Sequence, residues 1–283
     1  MIRSGTTALL ALVIFSCQVK LGEENNSLET ALAEEAMFGC EEGSNSKFST
    51  LQVPVRRVEV MPNFAQYKDI RRKKKAFFDF LRPMVEEENL RIKQERKKLF
   101  AIFELYDKTG RISEKNRNWL HSASTGMRMK NFDLLNPRDR STLLRKKDIV
   151  PASMVLAQAA NESSWGTSRF AKRANNLFGQ WCYTAGCGLV PTQRGANETH
   201  EIRTFATVND AVRSYIRNIN SYYAYRELRV IREEMRNEGE MPDGESLSRG
   251  LTRYSIRGEE YVKEIQSMIR VNRLDAVPSI KMD

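Results

Sequence analysis

Glu162 is the side chain in this sequence best placed to deliver a proton. It ends the stretch Pro151-Ala152-Ser153-Met154-Val155-Leu156-Ala157-Gln158-Ala159-Ala160-Asn161 and is followed by Ser163-Ser164-Trp165-Gly166-Thr167-Ser168. Pro151 suits a first helical turn, and Asp148 can help to cap it. Nearly every residue from Ala152 to Ala160 is small or apolar, which predicts a helix buried on most sides. Glu162 would then be desolvated and would sit near the negative end of the helix dipole. Both effects disfavour its charged form and raise its pKa. A carboxylic acid that keeps its proton near neutral pH can act as the general acid of glycoside cleavage. The plainer reading of a lone glutamate at a helix end is an exposed or ion-paired side chain.

The elements that must hold this residue read as mostly helical. Ile70, Lys74, Phe77, Phe78 and Leu81 share one face, and that helix is predicted to stop near Pro83. Leu99, Ile102, Phe103 and Tyr106 repeat the stripe on a second long helix, ended by Thr109-Gly110. Trp119 and Leu120 mark a third, with Trp119 in its core. The run Arg71 to Lys75 reads as a solvated helix face, with contact to an acidic polymer or lipid as the functional alternative. Val208 to Val212, with Tyr215, Ile219 and Tyr222, begins another helix, and Tyr261, Ile265, Met268 and Ile269 lie on the last. Between 182 and 206 the chain changes character. Gly186, Gly188, Pro191 and Gly195 break helices, and Glu201-Ile202-Arg203-Thr204-Phe205 alternates as a half-buried strand does. The expected fold class is mainly α (α+β), with a short β-hairpin lobe beside a cleft.

The stretch Gln158 to Ser168, together with Asn175-Asn176-Leu177-Phe178-Gly179, resembles the bacterial glucosaminidases of glycoside hydrolase family 73. The paired motifs Glu-Ser-x-Trp-Gly and Asn-Asn-Leu-Phe-Gly carry the specificity. Asn63-Phe64-Ala65, Lys73 to Phe78, Leu81 to Val85, Cys182 to Cys187, His200-Glu201 and Gly250 to Ser255 extend the likeness across 60–275. The resemblance implies a lysozyme-like helical domain with an N-terminal helical extension, acting on the glycan strands of peptidoglycan.

Glycosidic cleavage also needs a group that stabilises or attacks the oxocarbenium-like centre. The predicted hairpin offers Glu198 and Glu201, and the family members that use a second carboxylate carry it on this lobe. Glu201 ranks first, because it lies inside the strand and so has a defined direction. Its plain alternative is a surface strand carboxylate, in which case the substrate's own acetamido group could be the nucleophile. Tyr254 matches the tyrosine of the family's Tyr-Ala-Thr-Asp segment. Here the segment reads Tyr254-Ser255-Ile256-Arg257, so the aspartate is absent. Sugars present flat C–H faces to aromatic rings, which makes Trp165, Phe178 and Trp181 candidate substrate contacts, with Trp181 the best platform and at least one of the three in the core. Asn175 and Asn176 offer amides to acetamido groups, or form a turn.

The chain has 283 residues and a net charge of +10, suited to an anionic polymer or membrane surface. It shows no zinc-finger spacing or RNA-binding aromatic signature, so nucleic acid is not an expected partner. With His121 and His200 the only histidines, neither metal nor other cofactor is expected. Arg3 and the apolar Thr6 to Phe15 predict an export signal. Ile14-Phe15-Ser16-Cys17 resembles the lipobox of bacterial lipoproteins, although Phe15 fits it poorly. Lipidation at Cys17 would anchor the protein in a membrane, and ordinary signal cleavage would remove that cysteine. Either route places the mature chain outside the cytosol, in the periplasm or cell envelope. There Cys182 and Cys187 could close a small loop as a disulfide, the alternative being two free thiols. Cys40 has no evident partner.

The sequence therefore divides into an export signal over 1–17, a flexible tether over 18–60, an N-terminal helical extension over 61–135 and a catalytic domain over 136–276. The function expected is an endo-β-N-acetylglucosaminidase. A lytic transglycosylase using the same acid and a non-catalytic wall-binding lipoprotein are the alternatives. An amidase is disfavoured by the lack of a zinc set or a Cys-His pair.

Overall fold

A short 3-10 turn, Phe64–Gln66, precedes the dominant element, helix α1 (Ile70–Thr109). Asp69 caps α1 by accepting the Arg72 N–H at 2.7 Å. The computed structural model describes residues 57–276 apart from 193 and 196. The expected export signal, Cys17, Cys40 and nearly all of the expected tether lie outside the described residues.

The two long helices expected on either side of Pro83 are one. A proline inside a helix removes one hydrogen bond and costs about 3 kcal/mol. Packing on both sides outweighs that cost. Phe77, Phe78 and Leu81 before Pro83, and Met84, Val85 and Ile92 after it, all enter the same core.

Helices α2 (Glu114–Gly126) and α3 (Pro137–Lys146) follow, capped by Ser113 and Asn136. Leu120, Met127 and Leu143 pack with Leu99, Ile102 and Phe103 of α1 into a second, smaller core, with Trp119 half-buried at its edge. The cores therefore do not divide at residue 135. The first half of α1 belongs to the main core and the second half to the smaller one.

The main core is built around α4 (Ala152–Glu162), whose Met154 to Ala160 are fully buried. Around it lie α5 (Arg169–Ala174), α6 (Val208–Ser221), α7 (Arg226–Asn237), α8 (Gly244–Ser248) and α9 (Glu259–Val271).

The β lobe is a three-stranded antiparallel sheet, not the hairpin expected. Its strands are β1 (Trp181–Cys182), β2 (Gly188–Leu189) and β3 (Glu201–Arg203), in the order β1-β3-β2. Ile202 of the central strand faces Trp181 on one side and Leu189 on the other. Gly188 is required there, since a Cβ would lie 2.0 Å from the Ile202 carbonyl oxygen. The described residues are thus mainly α with a small β lobe, and none of their helices is long and apolar enough to cross a membrane.

Candidate active site

Helix α4 reaches its position through the segment 147–151. Asp148 does not cap the helix: no side chain caps it at Pro151. The Asp148 carboxylate instead faces arginines. Arg236 of α7 donates to both of its oxygens, at 2.6 and 2.8 Å, while Arg96 and the fully buried Arg232 lie 3.7 and 3.8 Å away. Arg232 also donates to the Arg145, Asp148 and Ile149 carbonyls. Asn89 of α1 pairs both ways with the Val150 backbone. The start of α4 is therefore fixed by polar groups from α1 and α7.

The other end of α4 turns sharply. Ser164, Trp165 and Gly166 all have positive φ, at 51, 60 and 71°. A bulky residue such as Trp165 rarely adopts this region, and such strain persists only where the surroundings enforce it. Here Trp165 N–H bonds the Ala160 carbonyl at 2.9 Å, and the Ser163 hydroxyl both donates to Ala159 O and accepts from Gly166 N–H. A Cβ on Gly166 would lie 2.7 Å from the Phe64 ring. Gly166→Ala should therefore destabilise the protein by roughly 2–3 kcal/mol, from strain at positive φ together with overlap. A lowered urea midpoint at unchanged slope would show it, and an unchanged midpoint would refute the packing argument.

Glu162 is half-buried, and burial pushes its carboxyl above the usual carboxylate range. Hydrogen bonds from Tyr261 and Asn161 act against this, Glu264 adds to it, and Arg257 opposes it. Arg257, at the position of the missing aspartate, pairs with Glu264 of α9 at 2.8 Å.

A chain of buried hydrogen bonds ends on this carboxyl. The Tyr215 hydroxyl donates to the Gln158 oxygen, the Gln158 amide donates to the Tyr261 hydroxyl at 2.9 Å, and that hydroxyl donates to Glu162 Oε1 at 2.7 Å. Every donor in the chain points toward Glu162. Because Gln158 presents N–H to Tyr261, the single Tyr261 proton goes to Glu162. Oε1 is therefore always an acceptor, and the acidic proton resides on Oε2. Tyr261→Phe should raise the Glu162 pKa further, since the donated O–H favours the carboxylate. The alkaline limb of the pH–rate profile should move to higher pH and turnover should fall about tenfold, the equivalent of one hydrogen bond to a charged group. An alkaline limb that stayed put would contradict this relay.

Tyr254 stands beside the relay. Its ring stacks on Tyr261 at 5.2 Å and its hydroxyl donates to the Phe178 carbonyl at 3.1 Å. Burial raises its pKa well above the usual value, so it is a neutral donor.

The other candidates separate into packing residues and one open surface. Phe178 is 4% exposed and stacks on Tyr215 at 4.0 Å, leaving no face for a sugar. Trp165 packs edge-on against Phe77 and Phe78 of α1, under Lys74 at 4.9 Å. The side chain of Asn176 is wholly engaged: its amide donates to the Gln180 and Arg203 carbonyls, and its oxygen accepts from the Phe178 and Gln180 N–H groups. Asn175, left-handed at φ 51°, donates to the Glu59 and Phe205 carbonyls. Both asparagines build the turn rather than offer free amides. Trp181 is different: it is 54% exposed and backed by His200, stacked at 3.9 Å.

Cys182 and Cys187 are joined in a disulfide. Glu201 is buried beside it, so the surface alternative for this residue does not hold. Its two oxygens accept the Gly186 and Gly188 N–H groups, at 3.0 and 2.7 Å. These bonds, with a smaller contribution from Arg194, hold its carboxyl below the usual range. Both sulfurs and this carboxylate lie within 4.8 Å of one another, but disulfide sulfurs are not thiolate ligands. Glu198 is exposed and accepts the Gly195 N–H at 3.0 Å.

The span from α3 to the end of α9 thus holds the half-buried Glu162 carboxyl, its tyrosines and the β lobe. Residues 141–274 match the glucosaminidase family, described as mannosyl-glycoprotein endo-beta-N-acetylglucosaminidase. Over these residues the chain is similar to the glucosaminidase family. It is also similar to Protein bax of Escherichia coli (strain K12), 29% identical over 214 residues, which is 75% of this chain and 74% of that protein. No solved structure matches.

Within the matched residues, sequence reasoning missed Gln158 and Tyr261 as parts of the site. Gln158 precedes Glu162 by one helical turn on the same face. A glutamine in an otherwise apolar helix must find buried partners, and that was the available signal. Tyr261 read only as one member of an apolar stripe.

Proposed function

We propose that this protein is a peptidoglycan hydrolase, an endo-β-N-acetylglucosaminidase in which Glu162 protonates the glycosidic oxygen. The observation that carries the reading is the state of that carboxyl in a span similar to the glucosaminidase family: burial favours its protonated form, and Tyr261 commits Oε1 so that Oε2 bears the proton. Tyr254 lines the site as a neutral hydroxyl, and Trp181 offers a flat surface for a sugar ring. The net charge of +10 suits an anionic wall polymer. The export signal and the lipobox-like Cys17 support action in the cell envelope, where a disulfide such as Cys182–Cys187 persists.

Glu201 bears on the second step. Both its oxygens serve the loop, so its part is to shape the β lobe, and the substrate's acetamido oxygen is the better candidate to stabilise the oxocarbenium-like centre. The same observation favours a second reading, lytic transglycosylase action, which needs no carboxylate to activate water. Digestion of purified peptidoglycan with mass spectrometry of the fragments separates the two. Reducing N-acetylglucosamine ends support the hydrolase, and 1,6-anhydro-muramyl ends support the transglycosylase. Intact strands would overturn both.

A further inference from the structure

Beside Trp181 the described residues enclose a cavity of about 160 Å3. Three arginines line it, each from a different part of the fold: Arg128 just after α2, Arg203 at the end of β3 and Arg217 on α6. Arg203 and Arg217 also line a second cavity, of about 370 Å3, so the two run together along α6. Other cations there are neutralised. Arg91 and Arg213 meet at Glu88, and Lys147 meets Glu95 at 2.5 Å. Among the described residues no carboxylate pairs with Arg128, Arg203 or Arg217. Arg128 instead donates to Asn218 Oδ1 at 3.4 Å and lies 4.8 Å from the Tyr222 ring, and Arg203 lies 5.5 Å from the Phe205 ring.

Three exposed guanidinium groups lining one small cavity repel one another weakly, and an anion between them removes that repulsion. The planar fork of arginine fits a carboxylate in bidentate fashion, and the rings beside Arg128 and Arg203 leave N–H groups of both for a ligand, although one Arg128 amino group is shared with Asn218. Trp181 is the fourth element of the argument. It lines the same cavity, and its ring is held in place by His200. A flat apolar surface next to a cationic cavity suits a sugar that carries an acidic substituent, more than it suits a free anion.

We propose that this cavity is a carboxylate-binding subsite that receives the acidic peptide stems of the glycan strand while an adjoining sugar lies on Trp181. The proposal rests on the glycan-hydrolase reading given above. It makes Arg203 and Arg217 determinants of substrate choice: strands bearing stems are held in preference to bare strands.

The full-length Glu162→Gln protein provides the test, since binding can be read without cleavage. Its affinity is measured for strands with intact stems, for strands stripped of their stems by an amidase, and for inorganic phosphate alone. The expected result is about tenfold tighter binding of stem-bearing strands, near 1.4 kcal/mol. In Arg203→Gln/Arg217→Gln on the same background, that ratio should collapse toward one. Arg203 and Arg217 are exposed, so the substitutions leave the cores intact. A ratio near one in the parent protein, or a ratio that survives the arginine changes, would overturn the subsite alone. Phosphate binding that depends on both arginines, with no preference between the strands, would make it a free-anion site and also overturn the proposal. Failure to hold either strand would overturn the subsite and the glycan-hydrolase reading together.

Discussion

Glu162→Gln is expected to lower the rate of glycan-strand cleavage on the order of a thousandfold, within the range typical of a lost general acid. Glutamine keeps the shape of the side chain and can still accept the Tyr261 hydroxyl proton through its oxygen. What it lacks is a transferable proton on the other arm. The fold should therefore survive, with an unchanged far-ultraviolet dichroism spectrum and melting point, and rates should be followed by release of soluble fragments from labelled peptidoglycan. The wild-type profile should fall on its alkaline side as Glu162 ionises. Because burial raises that ionisation above the usual carboxylate range, the fall comes at higher pH than for an exposed glutamate. Full activity in the variant would remove Glu162 from the chemistry.

The second large effect is on stability. Asp148→Ala is expected to destabilise the protein by about 3–5 kcal/mol, as when one partner of a buried ion pair is removed. The loss should appear as a drop in melting temperature on the order of 10 °C. Asp148 is 3% exposed and Arg232 beside it only 1%, so the alanine would leave buried positive charge unanswered. Burial alone would raise the Asp148 pKa. The hydrogen bonds from Arg236 and the charges of Arg232, Arg96 and Arg236 together outweigh it and hold the carboxyl below its ordinary value. A depressed folded-state pKa contributes stability above the unfolded pKa of about 3.9 and loses it as pH falls toward the folded value. The gap between wild type and variant should thus be whole at neutral pH and narrow below about pH 4. A gap independent of pH down to that point and beyond would contradict this account.

The buried helix and the desolvated carboxyl of Glu162 were legible because the residues from Ala152 to Ala160 leave few environments for a terminal glutamate. The β lobe was legible through its glycines and the alternation at Glu201 to Phe205, although strands of two or three residues gave no hint of a third partner. Pro83 misled, since local propensity is a weaker force than two faces of buried phenylalanine and leucine. Helix α7 escaped notice altogether. Arg226-Glu227-Leu228-Arg229-Val230-Ile231-Arg232 looks solvated, yet Arg229 and Arg232 are buried donors to backbone carbonyls on other elements. No spacing rule reveals which arginine of a charged helix turns inward. The same limit applied to Glu201 and Asn176, whose partners are backbone groups brought near only by the fold.

Helix α1, 40 residues and roughly 60 Å long, belongs to two cores at once. Arg96, between its two buried stretches, donates to the Leu144 and Lys147 carbonyls. The smaller core cannot come apart without releasing half of the helix, and the helix cannot be released without disturbing the segment that leads into α4. Folding cooperativity should therefore extend across both cores. Heating should give a single calorimetric transition, and amide protons near Leu99 should exchange with solvent only when those beside Val85 do.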